Sequence, residues 1–562
     1  MHSPPRQAAS VCSAHPPHRT TFVCSAHPPH RTTFLALLIL FHLAFNAAVI
    51  SRDHHFDIPD AADYYDWSLQ IAHSLKQGRP AQALVELWGN QARPPLGIVP
   101  TALIMALWPT PSAVLARMSM LPWLALLMCA VYCIGCRLCS PGAGLVAAAC
   151  AAAFPTVFGF SRLLWLDLPL SAMTALALLA LLRTDYFRLL RPTLAFGIVA
   201  GLGLLTKHAF PLFMLAPALG YLVVALRRGR GDGCGRGRRL LHAAAAAAVA
   251  LALFLLWLVP HFSFYIWVFH LSQTTTPGQG PQSLLAIPIA ARFLYNLWLI
   301  PTALLGPVLT LAYLGSAALL ALRDRRRLLG FTSLWFWGSL LLLSAFVNWP
   351  RYAIPALPAA ALAIGAALNG LRGFGRRQWH LPLALALLCM LPVQATCFGP
   401  EPVWCDSPQT TARVFCAGMI RPQRQRIRRP SFRGLPRTRA VLVTVLPRRL
   451  GLLRPPELPP PPFDHIPEAV RYWMLEDGLV RVECNWEIQA LAGPELDRND
   501  YVVLVEGAGA LQPNREHRVM VEGVLRQLRA RPTWWREIMD FRFDQGPRLR
   551  LFAHRRVLDL PR

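Results

Sequence analysis

The sequence predicts a polytopic α-helical membrane protein of about eleven transmembrane helices, followed by a small C-terminal α/β domain outside the cytoplasm. Three observations lead there. Of the 562 residues, 54% are apolar and 15% charged, and the mean hydropathy is +0.37. A soluble chain of this size carries more charge. Apolar runs long enough to cross a bilayer recur up to about residue 396. Between these runs the arginines gather in short clusters, which is the positive-inside pattern. The formal net charge of +27 therefore points to membrane topology rather than to nucleic acid. Only Lys76 and Lys207 are lysines, so arginine is the default cation and each lysine is informative.

Residues 1–33 read as a disordered or artefactual extension. The string VCSAHPPHRTTF occurs at 11–22 and again at 23–34, rich in His and Pro and without an apolar period. The multi-span region is expected over 34–396. Its first span covers about 34–50. The first outer loop, 51–112, is acidic up to residue 95 and includes a short apolar stretch at 96–108, bracketed by proline and read as an interfacial helix. Further spans fall near 113–135, 141–159, 165–182, 193–207, 209–226, 240–259, 297–322, 329–347, 355–371 and 380–396.

With the N-terminus in the cytoplasm, the loops around Arg137, Arg183–Arg191, Arg227–Arg239, Arg323–Arg327 and Arg372–Arg377 all land on the cytoplasmic side. The acidic loop, the Ser161–Asp167 turn and the loops 260–292 and 348–354 land on the other. A basic, proline-rich linker follows at 397–438. The α/β domain is expected over 439–562, from β-like runs at 440–446, 480–484, 501–507 and 548–554 and helical patterns at 467–478 and 517–530.

Cys129, Cys133, Cys136 and Cys139 have a spacing that superficially suits a metal. A helix spreads them over more than one face, so they are read as packing residues, and no metal site is assigned. Cys397, Cys405, Cys416 and Cys484 lie in the outer tail, where a disulfide is possible and its pairing open.

Charges within or beside spans are costly and are therefore functional candidates. Four places stand out, all on the outer side. Asp60-Ala-Ala-Asp63-Tyr64-Tyr65-Asp66 follows the first span. It is either an acidic helix start or a general base for an acceptor hydroxyl or amine. Ser161-Arg162 with Asp167 is either a self-satisfied ion pair or a second acid of the same cavity. Lys207 lies between two apolar runs, where it either snorkels to the interface or sets a compact ammonium on a phosphate oxygen; His208 beside it either assists or caps the helix. Arg351 and Tyr352 sit in a very short loop, as a phosphate fork or as an interfacial anchor. Arg93, before Pro94 and Pro95, is a fifth and weaker candidate. Acids for proton removal and cations for phosphate on one surface fit a lipid-linked phosphate donor.

Over residues 35–396 the chain resembles the GT-C membrane glycosyltransferases, in particular the bacterial branch related to protein O-mannosyltransferases and aminoarabinose transferases. Asp60-Ala-Ala-Asp63-Tyr64 is similar to that family's Asp-Glu-x-x-Tyr element, and Arg93-Pro-Pro-Leu96 to its His-Pro-Pro-Leu element. Ala116-Arg117 resembles the start of its second span. Ser161-Arg162 through Asp167 resembles its Ala-Arg…Asp segment. Gly201-Leu-Gly-Leu-Leu-Thr-Lys207 and Arg351-Tyr352 with the following prolines resemble its Gly-Leu-Gly-x-Leu-Thr-Lys and Arg-Tyr-x-x-Pro elements. Ala61 stands where the family has a second acid, which leaves the base open between Asp60 and Asp63. Arg93 stands where the family has His.

The resemblance implies an inverting glycosyltransferase of a bacterial inner membrane, using a polyprenyl-phosphate sugar donor and no required metal or other cofactor. It implies Asp60 as base, Lys207 and Arg351 at the donor phosphate, and Asp167 on the acceptor side. Arg93 and His208 are grouped with the phosphate contacts, and Tyr64, Arg162 and Tyr352 line the cavity. The expected partners are the donor, membrane lipids, and a lipid, polysaccharide or protein acceptor; nucleic acid is not among them. A transporter or flippase of a lipid-linked or anionic solute is the alternative, and a non-catalytic assembly protein a third.

Overall fold

The computed structural model describes residues 29–52, 60–90, 93–228, 235–274, 288–323, 325–346, 350–369, 439–443, 481–485, 501–506, 525–542 and 548–555. The span expected at 380–396, the linker 397–438, the pattern at 467–478, Cys397, Cys405, Cys416 and residues 1–28 lie outside them.

The chain is mostly helical. In order come α1 (Pro29–Arg52), α2 (Asp60–Lys76), α3 (Pro80–Trp88), α4 (Val99–Leu107), α5 (Ala113–Met118), α6 (Leu121–Leu138), α7 (Pro141–Ala153), α8 (Pro155–Phe160), α9 (Asp167–Arg183), α10 (Leu190–Thr206), α11 (Pro211–Arg228), α12 (Arg236–Thr274), α13 (Ile289–Leu299), α14 (Gly306–Leu322), α15 (Arg326–Phe346) and α16 (Leu357–Asn369). Among the described residues, six helical stretches are long and apolar enough to cross a membrane: Thr32–Ser51, Val114–Leu138, Pro211–Arg228, Arg236–Phe264, Arg326–Ala345 and Arg351–Leu368. Shorter apolar helices cover Leu96–Leu107, Pro141–Ala153, Leu190–Thr206 and Gly306–Leu322.

Proline and glycine break several expected spans. The run 141–159 is two helices, because Pro155 cannot continue the ladder and leaves Phe154 extended. The run 297–322 opens with a π turn, Ile300–Leu304, and passes through Gly306 at φ +75°. The expected loop 260–292 is helical as far as Thr274: α12 is 39 residues long and contains Pro260. At about 1.5 Å per residue, α12 runs about 58 Å, well beyond a ~30 Å hydrocarbon core. The first helix begins at Pro29, ahead of the expected boundary at 34.

Small residues set the helix spacing. A Cβ on Gly135 of α6 would meet the Gly144 Cα of α7 at 2.5 Å, and one on Gly365 of α16 would meet the Ala143 carbonyl oxygen at 2.4 Å. The backbones of α6, α7 and α16 therefore touch, as apolar solvent favours when packing rather than water drives association. Alanine-rich α7 is buried along almost its whole length and forms the centre of the bundle. The outer surfaces of α1, α11, α12 and α14 keep large apolar side chains exposed, such as Leu40, Leu219, Leu251 and Leu311, which is a lipid-facing surface.

The C-terminal strands are β1 (Arg439–Val443), β2 (Arg481–Asn485), β3 (Tyr501–Glu506), β4 (Trp535–Arg542) and β5 (Arg548–His554). β1 and β2 pair in parallel, and the other three form an antiparallel sheet in the order β3-β5-β4. β4 was not expected: four charged residues in WREIMDFR and a register shift between Glu537 and Met539 obscure its alternation.

Candidate functional site

Five segments meet at one end of the bundle: the start of α2, the turn 93–98, the turn 161–166 leading into α9, the turn 207–210 after α10, and a 3-10 segment, Pro350–Ala356, leading into α16. Glycines let them pack closely. A Cβ on Gly97 would lie 2.7 Å from Leu166 Cδ2 and 3.3 Å from the Thr206 carbonyl oxygen, so this residue joins three of the segments. Gly201 lies against Leu253 and Ala250 of α12, and Gly203 holds the Phe210 ring. The Gly-x-Gly spacing before Lys207 therefore seats α10 on one neighbour and folds the next turn back over it. The 3-10 segment is pinned by Trp335 Nε1, which donates to the Pro355 carbonyl at 2.9 Å, and by Ser171 Oγ, which donates to that of Ile354 at 3.4 Å.

Lys207 caps α10 in an extended conformation. Its Nζ donates to Asp167 Oδ1 at 2.7 Å. Asp167 occupies the first turn of α9, where the helix dipole favours a carboxylate. Its Oδ2 is buried and has no hydrogen-bond partner. The ion pair of Asp167 is with Lys207, so the expectation that Arg162 and Asp167 satisfy each other gives way. Arg162 instead lies over the Phe158 ring, 4.5 Å from its centroid, with Nε 3.4 Å from the Phe158 carbonyl oxygen. Its neighbour Ser161 donates to Asn46 Oδ1 on α1 at 3.0 Å.

Aromatic rings order the cations. Lys207 Nζ sits 4.5 Å from the centroid of the Tyr352 ring. Arg351 Cζ lies 3.9 Å from the Trp165 centroid and 5.0 Å from that of Tyr352. Both cations are largely buried. Lys207, Tyr352, Arg351 and Trp165 thus form a continuous ladder, with guanidinium and ammonium aligned by ring faces.

A second pair stands nearer the solvent. Arg93 Nη1 is 3.3 Å from Asp63 Oδ2, and the guanidinium lies 4.4 Å from the Tyr64 centroid. The Arg93 amide donates to Asn90 Oδ1 at 3.0 Å, and Trp257 Nε1 of α12 donates to the Asn90 carbonyl at 3.3 Å. Trp88 Nε1 donates at 3.1 Å to the Leu256 carbonyl, the group that Pro260 leaves without its helical donor. The break in α12 is thereby fastened to the loop that carries Arg93. Asp60 is the first residue of α2, three positions before Asp63. Glu86 has a structural part: it accepts the Ser74 hydroxyl at 2.9 Å and ties α3 to α2.

His208 follows Lys207 and is exposed. The surrounding protein, and then the positive charges of Lys207 and Arg93, lower its pKa to about 4. At neutral pH it offers a neutral imidazole, not a third cation. Trp165, Asn90 and Trp257 were not singled out from sequence; the first lay inside a quoted motif, and the other two make contacts that only the fold creates. Among the described residues, no group of three or more His, Cys, Asp or Glu side chains could hold a metal ion. Cys129, Cys133 and Cys136 lie along α6, and Cys139 is its C-cap.

Residues 92–263 match the family described as dolichyl-phosphate-mannose-protein mannosyltransferase. The fold is similar to that of ArnT from Cupriavidus metallidurans bound to undecaprenyl phosphate, with a TM-score of 0.51 and 16% identity over 92% of this chain and 98% of that one. The apo state of the same enzyme gives 0.50 and 15%, over 93% and 98%. The Archaeoglobus fulgidus oligosaccharyltransferase is more distant, at 0.44 and 14%, over 84% and 67%. No curated protein sequence matches the chain. The molecule is a multi-pass membrane protein with the GT-C glycosyltransferase fold. What it shares with the ArnT structures is the fold, and what it shares with the mannosyltransferase family is the match over residues 92–263.

Proposed function

We propose that the protein is an inverting glycosyltransferase that moves a sugar from a polyprenyl-phosphate donor to an acceptor at the periplasmic face of a bacterial inner membrane. The observation that carries this reading is the meeting of α2, whose start holds Asp60 and Asp63, and the buried Lys207–Tyr352–Arg351 ladder at one end of the bundle. The likeness to an ArnT that binds undecaprenyl phosphate supports the donor class. The proposed topology has about eleven crossings, with the N-terminus cytoplasmic. It has a transmembrane domain at 34–396, a linker at 397–438 and a periplasmic α/β domain at 439–562.

In this mechanism Asp60 takes the proton of the acceptor hydroxyl or amine as that atom attacks the anomeric carbon. The bond from that carbon to the phosphate oxygen breaks on the opposite face, and polyprenyl phosphate leaves. Arg351 and Lys207 stabilise the negative charge that grows on the leaving phosphate. Asp63 is engaged by Arg93, so the base is assigned to Asp60. The unpartnered Oδ2 of Asp167 is the acceptor for a donor group of substrate. Asp167 and Lys207 lie at helix ends rather than at the midpoints of broken helices, where a transporter would place them.

The test is sugar release from radiolabelled polyprenyl-phosphate sugars by purified protein in lipid, with membrane extract supplying acceptors. Asp60→Asn is expected to lose about 10²–10⁴-fold in turnover while donor binding persists. Asp63→Asn is expected to retain most of it. The reverse pattern would make Asp63 the base. No turnover with any donor from a folded sample would remove the transferase reading.

A further inference from the structure

We propose that the opposite end of the bundle carries a binding site for the phosphate headgroup of an anionic phospholipid, built on the turn Thr184–Arg188. This turn joins α9 to α10. Each helix has 17 residues, so about 26 Å of helix separates the turn from Asp167 and Lys207.

Three consecutive residues with side chains, Asp185, Tyr186 and Phe187, adopt left-handed conformations with φ of 50°, 58° and 61°. Residues with a Cβ avoid this region, singly and still more in series. The surroundings enforce it. The Tyr186 amide donates to the Tyr221 hydroxyl at 3.0 Å and the Phe187 amide to Thr184 Oγ1 at 3.1 Å. Arg239 Nη1 donates to the Tyr186 carbonyl at 2.8 Å, and His242 Nδ1 lies 2.9 Å from that of Phe187. The Tyr186 ring stacks on Tyr221 at 4.6 Å, and the Arg228 guanidinium lies 3.9 Å from the Tyr186 centroid. A loop that only sets orientation needs positive charge, not this geometry. Strain held this firmly is characteristic of ligand clamps.

The ligand follows from charge and position. Arg183, Arg188, Arg236 and Arg238 are exposed and Arg228 is half-buried, on the segments that flank this turn and the α11–α12 connection. Within the described residues of 183–191 and 226–242, Asp185 is the sole carboxylate, 3.6 Å from Arg188. Leu189, Leu190, Leu240 and Leu241 are exposed beside these cations in the chain. Cations bordering an apolar shelf match a phosphate headgroup with its acyl chains alongside. An arginine plane aligned by Tyr186 can offer that phosphate paired donors. Free phosphate would use the cations but not the leucines.

The experiment uses the full chain in phosphatidylcholine nanodiscs with and without phosphatidylglycerol, and counts bound phosphatidylglycerol by native mass spectrometry. The double variant Arg188→Gln/Arg228→Gln is expected to weaken that binding about tenfold or more. The control Arg323→Gln/Arg327→Gln removes the same charge at the same end and is expected to leave binding within about twofold. Retained binding in the first variant, or equal loss in both, would overturn the proposal. So would displacement of the lipid by inorganic phosphate at comparable concentration. If the double variant does not fold, Arg228→Lys keeps the charge and loses the planar fork. Weaker binding is then expected, and unchanged binding overturns the site. None of these readouts depends on transferase activity.

Discussion

Two ion pairs at the same end of the bundle join the same kinds of charge under different conditions. In Asp167–Lys207 the acid is fully buried and the lysine side chain is 11% exposed; in Asp63–Arg93 the exposures are 42% and 21% for acid and base. The inner pair sits between helix termini, fixed by close backbone contact. The outer pair sits on a loop fastened by Asn90 and Trp257. Desolvation makes the inner pair costly to break and holds Lys207 in one place. Water screens the outer pair, which can exchange partners when a substrate arrives. Proximity of opposite charges therefore does not by itself assign a role; depth does.

The largest effect is expected from Lys207→Met, which strands a buried carboxylate and should cost about 3–5 kcal/mol of stability. Adding Asp167→Leu should recover much of that loss without restoring transfer, as read by unfolding in lipid beside the sugar-release assay. A mild single variant would put the two pairs on an equal footing and break the contrast. Next comes Arg351→Lys. It keeps the charge but loses the plane stacked on Trp165, and about a 10²-fold fall in kcat is expected if the guanidinium meets the leaving phosphate. Unchanged kcat would reduce Arg351 to an interfacial anchor.

Arg93→Gln should cost about 0–1 kcal/mol and act mainly on substrate KM, which sharpens the view of the outer pair as exchangeable. The smallest effect concerns pH. The His208 pKa is lowered from 6.5 to about 4, so between those values the unfolded chain binds more protons than the folded one. This contribution is complete above pH 6.5 and is lost as pH falls towards 4. His208→Gln should flatten the fall in melting temperature over that window. A variant that melts with the wild-type pH profile would show that other groups set it.

Periodicity and composition alone made the membrane class and most of the helices legible, because lipid imposes length and polarity rules on every span. Among the described residues, four of the five C-terminal strands were also readable from their sequence runs. Where spans break was less legible. Pro155, Gly306 and Pro260 are visible as residues, but whether a proline ends a helix or is spanned by it depends on what meets the exposed carbonyl. At Pro260 the answer is Trp88, a side chain distant in sequence.

The candidate residues were legible as types and positions: acids after the first span, a rare lysine, an arginine in a short outer loop. Sequence determined which charges the chain places at this end of the membrane. Only the tertiary structure decided their partners. It gave Asp167 to Lys207 rather than to the nearby Arg162, set Arg351 on Trp165, and left His208 neutral. The physical reason is that partnership and protonation depend on distance and desolvation. Both are settled here by close packing at Gly97 and Gly201, which join segments far apart in the chain, and by the Phe210 ring seated on Gly203.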